Sequence, residues 1–130
     1  IMAEQFRLTE AEWTLMEQLW VTPGMTGRGL TDALRSGNGW ARSTTLTLLR
    51  RLAEKGAVRI EEQGGRQHFF PVVSREDAAA RQTRELLGRL YHGSLSNLVS
   101  TMTQEEKLSR TEIAELYAIL DGLEENNRHD

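Results

Sequence analysis

Residues 43–73, "STTLTLLRRLAEKGAVRIEEQGGRQHFFPVV", change hydrophobic period part-way along, and that change narrows the fold more than any other feature of the chain. Before Gly56, the residues Thr45, Leu48, Leu49 and Leu52 fall on one stripe of a 3.6-residue helix. Ser43, Thr47, Arg50 and Glu54 collect on the opposite side, flanked by Leu46 and Arg51. Gly56 is the expected helix stop. Beyond it the period is two: Val58 and Ile60 are expected inward, Arg59 and Glu61 outward. Gly64-Gly65 then marks a hairpin whose second strand is "QHFFPVV". Pro71 suits an edge or a strand end, because it has no N–H to give to a ladder.

The flanking segments read as helices. In "LTEAEWTLMEQLW", Thr9 and Glu12 form a capping box, Leu8 and Trp13 a hydrophobic staple, and Trp13, Met16, Leu19 and Trp20 one apolar face ended by "TPG" at 22–24. "TGRGLTDALRS" is a shorter helix capped by Thr26, with Leu30, Ala33 and Leu34 inward and "SGNG" at 36–39 as a turn. Ser74 opens a helix ended by Gly93. Helical spacing continues through Leu95, Leu98, Val99 and Met102. A last helix starts at Ser109 and Glu112 and carries Ile113, Leu116, Tyr117, Leu120 and Leu123, with "ENNRHD" as a frayed tail. The expected class is mainly α with a small β wing (α+β). Residues 1–73 are expected to form a winged helix-turn-helix domain and 74–130 a helical dimerisation region, the alternative for the latter being that its helices fold back on the first domain.

Charge divides the chain the same way. The whole carries −3, but residues 1–75 hold 10 Lys+Arg against 8 Asp+Glu, while 76–130 hold 6 against 11. Within 40–75 the count is 7 basic to 3 acidic. Such asymmetry points to a polyanion partner for the first part and another task for the second.

A helix and turn followed by a polar, basic helix and a basic-tipped hairpin fit duplex DNA. The major groove, about 12 Å wide, admits one α-helix whose N-terminal residues reach base edges. Arg42 and Arg50 offer forked donors to guanine or phosphate; Ser43, Thr44 and Thr47 are short hydroxyls that permit close approach; an outward Leu46 can press on a thymine methyl. Arg66 at the hairpin tip would meet phosphate or a minor groove.

The order "AEWTLMEQLW", then W-x-x-x-T-x-x-T-L-L-x-R-L-x-x-K-G from Trp40 to Gly56, then "HFFPVVSREDA", resembles the penicillinase-repressor (BlaI/MecI/CopY) family of bacterial transcriptional repressors, and the likeness continues through "NLVSTMTQEEKLSRTEIAEL". The resemblance implies a cytoplasmic homodimer on a palindromic double-stranded operator controlling a β-lactam-resistance-like or other stress operon. It implies DNA contacts at Arg42, Ser43, Thr44, Leu46, Thr47, Arg50 and the wing, and entwined C-terminal helices; Leu95, Leu98, Val99, Ile113, Leu116, Tyr117 and Leu120 are the apolar residues available for dimerisation. Arg51, toward the helix flank, is alternatively a structural ion-pair partner. In the β-lactam branch a membrane sensor protease system lifts repression by cutting the dimerisation region. The matching bond here is Thr101–Met102, where family examples carry Asn–Phe. The copper-responsive branch carries a C-terminal cysteine cluster, and this chain has no cysteine.

Two other readings stay open at this point: a winged-helix regulator answering a small molecule held between wing and dimer helices, and a winged-helix interaction module that binds no DNA. No cofactor, metal site, catalytic motif or membrane insertion is expected. His68, His92 and His129 do not converge, Trp13, Trp20 and Trp40 read as packing, and no apolar run approaches the ~20 residues of a span.

Overall fold

The computed structural model describes residues 7–105 and 107–128. The chain divides into two compact units, 1–85 and 86–130.

In the first unit, α1 (Glu10–Val21) starts at the expected capping box: Thr9 Oγ1 accepts the Glu12 N–H at 3.1 Å, and Glu12 Oε1 accepts the Thr9 N–H at 2.8 Å. After Gly24, whose N–H donates to the Phe69 carbonyl, Met25–Thr26 form a short strand, β1, that the sequence did not announce. Two residues are too few to show a period; the strand exists because Met25 and Thr26 pair antiparallel with Phe69 and His68. Thr26 then caps α2 (Gly27–Asn38) through the Gly29 N–H. This helix runs through the expected "SGNG" turn and stops only where Gly39 takes a left-handed conformation at φ 70°.

Helix α3 (Arg42–Lys55) ends as its sequence requires. Gly56 sits at φ 81°, its N–H donates to Ala53 and that of Ala57 to Leu52, the paired bonds of a Schellman motif. The hairpin follows as β2 (Val58–Gln63) and β3 (Arg66–Pro71), joined by Gly64 and Gly65 at φ 59° and 77°, the two positive values of a tight primed turn. Sheet order is β1-β3-β2, so Pro71 stands at the end of a central strand. Burial declines from hairpin base to tip. Val58 is buried, but Ile60, expected inward, is 42% exposed: it stands on β2, the outer strand of the sheet, whereas its cross-strand neighbour Phe69 on the central β3 is buried.

Leu15, Met16, Leu19, Leu30, Leu34 and Leu52 are fully buried between α1, α2 and α3. Each leucine contributes roughly 1.5–3 kcal/mol relative to exposure. Trp13 and Trp20 meet edge to face at 5.0 Å, and Trp20 Nε1 donates to the Val73 carbonyl at 2.9 Å, so the tryptophans pack as expected. A partly buried charged pair ties the start of α1 to the end of α3: Lys55 Nζ lies 2.5 Å from the buried Glu12 Oε1 and also donates to the Arg7 carbonyl. Burial alone would raise the Glu12 carboxyl; the hydrogen bonds from Lys55 and the Thr9 backbone, with the lysine charge, outweigh it and hold the group below its ordinary value.

Helix α4 (Arg75–Tyr91) is capped by Ser74 Oγ on the Asp77 N–H. In the second unit, α5 (Leu95–Glu105) and α6 (Arg110–Arg128) are capped by Ser94 and Ser109. Helix α6 continues through Glu124–Arg128, where a frayed tail was expected; His129 lies outside the described residues. Neither helix buries a residue within the chain.

Candidate nucleic-acid interface

The site is the side of α3 that the core does not use. Thr45, Leu48, Leu49 and Leu52 anchor one face, and this phase leaves Arg42, Ser43, Thr44, Leu46 and Arg50 exposed on the other. Thr47 is half-buried at the edge of that face. Leu46 is 42% exposed, a leucine held in solvent on a helix whose other leucines are inside. Arg50 approaches Glu54 only at 3.9 Å with both side chains well exposed, a pairing worth at most about 1 kcal/mol, so its guanidinium is available. Arg51 is exposed and has no ion-pair partner among the described residues, so the structural pair considered for it is not present.

The N-terminus of α3 departs from every other helix here. Thr9, Thr26, Ser74, Ser94 and Ser109 each cap a helix by accepting a backbone N–H, whereas Ala41, in the extended conformation of an N-cap at φ −69° and ψ 155°, supplies no side-chain acceptor. No acidic residue occupies the first turn. The Thr44 N–H turns back to the Ala41 carbonyl at 3.1 Å, so the Arg42 and Ser43 amides are those left for an outside acceptor, and the positive end of the helix dipole favours an anion.

On the hairpin, Arg59 is committed elsewhere: it lies over the Phe70 ring at 4.8 Å and bonds Glu61 at 2.7 Å. Arg66, the first residue of β3 beside the Gly-Gly tip, is exposed and unpaired among the described residues. Sequence reading overlooked a cationic row on α2. Arg28, Asp32 and Arg35 recur at i, i+4 and i+7 and are all exposed; the spacing was visible, but only the buried side of that helix was read.

The residues expected to serve dimerisation lie in the second unit. Leu95, Val99, Ile113, Leu116, Tyr117 and Leu120 are exposed, up to 64% for Tyr117, and Leu98 is half-buried. Thr101 and Met102 sit inside α5, with the Thr101 hydroxyl donating to the Asn97 carbonyl. His68 Nδ1 lies 2.8 Å from the Gly24 carbonyl, and no three His, Cys, Asp or Glu side chains converge on a metal-sized space among the described residues. No described helix is long and apolar enough to cross a membrane.

The family model described as "Penicillinase repressor" matches residues 8–122. A penicillinase repressor of Bacillus licheniformis is 29% identical over 122 residues, covering 94% of this chain and 94% of its own. The methicillin resistance regulatory protein MecI of Staphylococcus aureus (strain N315) is 24% identical over 115 residues, covering 88% and 94%. Among solved structures, the monomeric form of B. licheniformis BlaI in complex with the blaP half-operator superposes with a TM-score of 0.50 at 24% identity, over 55% of this chain and 87% of that one.

Proposed function

Because the chain belongs to the penicillinase repressor family, we propose that it is a transcriptional repressor that binds a palindromic DNA operator as a homodimer. Residues 1–73 act as the DNA-binding part and 74–130 as the dimerising part. The observation that carries this reading is the phase of α3: its leucines are spent on the core, and Arg42, Ser43, Thr44, Leu46 and Arg50 are delivered to solvent on one side, with Thr47 at the margin. A helix with that outer face fits the major groove, where arginine reads guanine and a leucine can meet the thymine methyl. Arg66 would reach the phosphates or the minor groove beside it.

The pairing of two copies rests on the second unit. Two helices with Leu95, Val99, Ile113, Leu116, Tyr117 and Leu120 in solvent present more apolar surface than a lone soluble chain ordinarily leaves open. An isologous pair would bury it and fix two α3 helices at the half-site spacing of roughly 34–36 Å or a multiple. The B. licheniformis relative is named a penicillinase repressor and the S. aureus relative a methicillin resistance regulator. Control of a resistance-type operon in bacterial cytoplasm is the reading this likeness supports; release by a membrane sensor protease would fall at Thr101–Met102, where the Asn–Phe pair of family examples is absent. That bond would have to leave its helical conformation to enter a protease.

The test is operator discrimination. A site is selected from a random duplex pool, and Thr47→Ala and Arg50→Ala are compared with the parent on that site and on a scrambled duplex. Each substitution should reduce the preference by ~1–3 kcal/mol. Unchanged preference in both variants, with the proteins folded, removes α3 as the reading element.

A further inference from the structure

An open groove of about 700 Å³ lies between α2, the first turns of α3 and β3. Its walls present Arg28, Asp32 and Arg35 from α2, Arg42 and Leu46 from α3, and Arg66 from β3. Thr31 also lines it, but its hydroxyl is already given to the Gly27 carbonyl at 2.7 Å, so the wall's polar chemistry is dominated by guanidinium. Four arginines face one carboxylate. None of the four forms an ion pair among the described residues, with Asp32 or with any other acid. A concave surface with that excess of unneutralised positive charge attracts an anion, and low-dielectric walls focus the field.

We infer that this groove is a phosphate clamp in which Arg28 and Arg35 of α2 hold the phosphodiester strand bordering the base pairs met by α3. The inference rests on the DNA-binding reading of α3 and adds to it a second protein element and two residues. The geometry follows from size. An α-helix with its side chains is about 10–12 Å across and the major groove about 12 Å wide, so a helix seated there leaves no lateral room. The sugar–phosphate strands must then run directly beside it, and the elements that flank α3 meet them. At this groove those elements are α2 and β3. Contacts of this kind position the protein without reading sequence. Asp32 opposes the clamp and sets its strength below what four arginines would give.

The same chemistry would suit a free inorganic phosphate, and the experiment separates the two sources. Binding of the full-length protein to the selected operator and to a mixed-sequence duplex is measured across salt concentrations for the parent, Arg28→Gln, Arg35→Gln and Asp32→Asn. Each arginine variant should lower the slope of log K against log salt by about 0.9 per engaged protomer. At 0.1 M salt this is roughly an 8-fold loss for each engaged protomer, or roughly 60-fold where both protomers of a dimer are engaged, and it is the same on either duplex at equal engagement, with operator preference intact. Asp32→Asn should bind both duplexes roughly 3-fold more tightly. A gain cannot come from a misfolded chain, so this variant keeps the test decisive if an arginine variant folds poorly. Parent-like slopes in both arginine variants, or no gain from Asp32→Asn, overturns the clamp while leaving α3 as the reader. Loss of operator preference in the arginine variants overturns it too, by making them base readers. Inorganic phosphate, exchanged for chloride at fixed ionic strength, should neither raise Tm nor compete with the duplex. If it does both, and Arg28→Gln abolishes both, the groove is a small-anion site and the clamp is wrong. Should the parent bind no duplex with any salt dependence, the DNA-binding reading itself fails, a result distinct from all of these.

Discussion

Replacing Ala41 by Asp should move stability and DNA affinity in opposite directions. The backbone at this position already has N-cap geometry, φ −69° and ψ 155°, and its carbonyl already accepts the N–H groups of Thr44 and Thr45 at 3.1 and 3.3 Å. A carboxylate placed there needs no backbone change to accept a first-turn amide. Restoring such a cap is worth ~1 kcal/mol, and a negative charge at the positive end of the helix adds ~0.3–1 kcal/mol. For a cooperative unit of this size each kilocalorie raises Tm by roughly 4–8 °C. On DNA the same carboxylate stands where the open amides would meet a phosphate. Two like charges about 6 Å apart repel by roughly 0.7 kcal/mol at the dielectric of water and roughly 3 kcal/mol at an effective value near 20, which corresponds to a loss of between about 3-fold and 100-fold in affinity. Ala41→Asn separates the two effects, because it supplies a comparable cap without the charge. Calorimetry and duplex titration at fixed salt read both quantities. If Ala41→Asp melts higher yet binds the operator as the parent does, the open end of α3 does not face DNA, and the reason offered for its missing cap is wrong.

Thr45→Val should stabilise the protein by about 1 kcal/mol, seen as a higher urea midpoint at constant m, because the Thr45 hydroxyl is fully buried with no hydrogen-bond partner among the described residues. Glu12 should give an acid limb to stability. Its folded pKa lies below the unfolded value of 4.5, so the stabilisation is complete above 4.5 and is lost as pH falls through the lower folded value; Glu12→Gln should flatten that limb in a pH series of denaturation curves. Lys55→Met, which strands the buried carboxylate, should cost about 3 kcal/mol at neutral pH by the same assay. Leu116→Asp combined with Leu120→Asp should give a single chain in sedimentation and weaken operator binding; two chains in that variant would put the pairing surface elsewhere.

What could be read in advance was whatever a single element fixes by itself. The period change at Gly56 gave α3 and the hairpin, with the Gly64-Gly65 turn in register at Gln63 and Arg66, because helix phase and strand alternation are local properties. Local stop signals were less dependable. The polar run at 36–39 looked like a turn, yet α2 uses Ser36 to bond the Ala33 carbonyl and ends only at Gly39. Features made by two elements together were not legible at all. Strand β1 exists only through β3, Ile60 is exposed because β2 falls at the edge of the sheet, and the arginines of α2 acquire meaning only when α3 and β3 are brought alongside them.

The same contrast separates function from folding along the chain. Thr9, Thr26, Ser74, Ser94 and Ser109 obey the capping rule, and only α3, the helix proposed to meet the base pairs, begins on alanine. Its sequence, "WARSTT", holds three hydroxyls within reach of the cap, so no shortage of suitable residues explains the omission. Moving one hydroxyl back to position 41 would satisfy α3 internally and spend the amides that a phosphate can otherwise use. A local rule kept five times and broken once, on the face that the core leaves free, is better explained by a ligand than by chance.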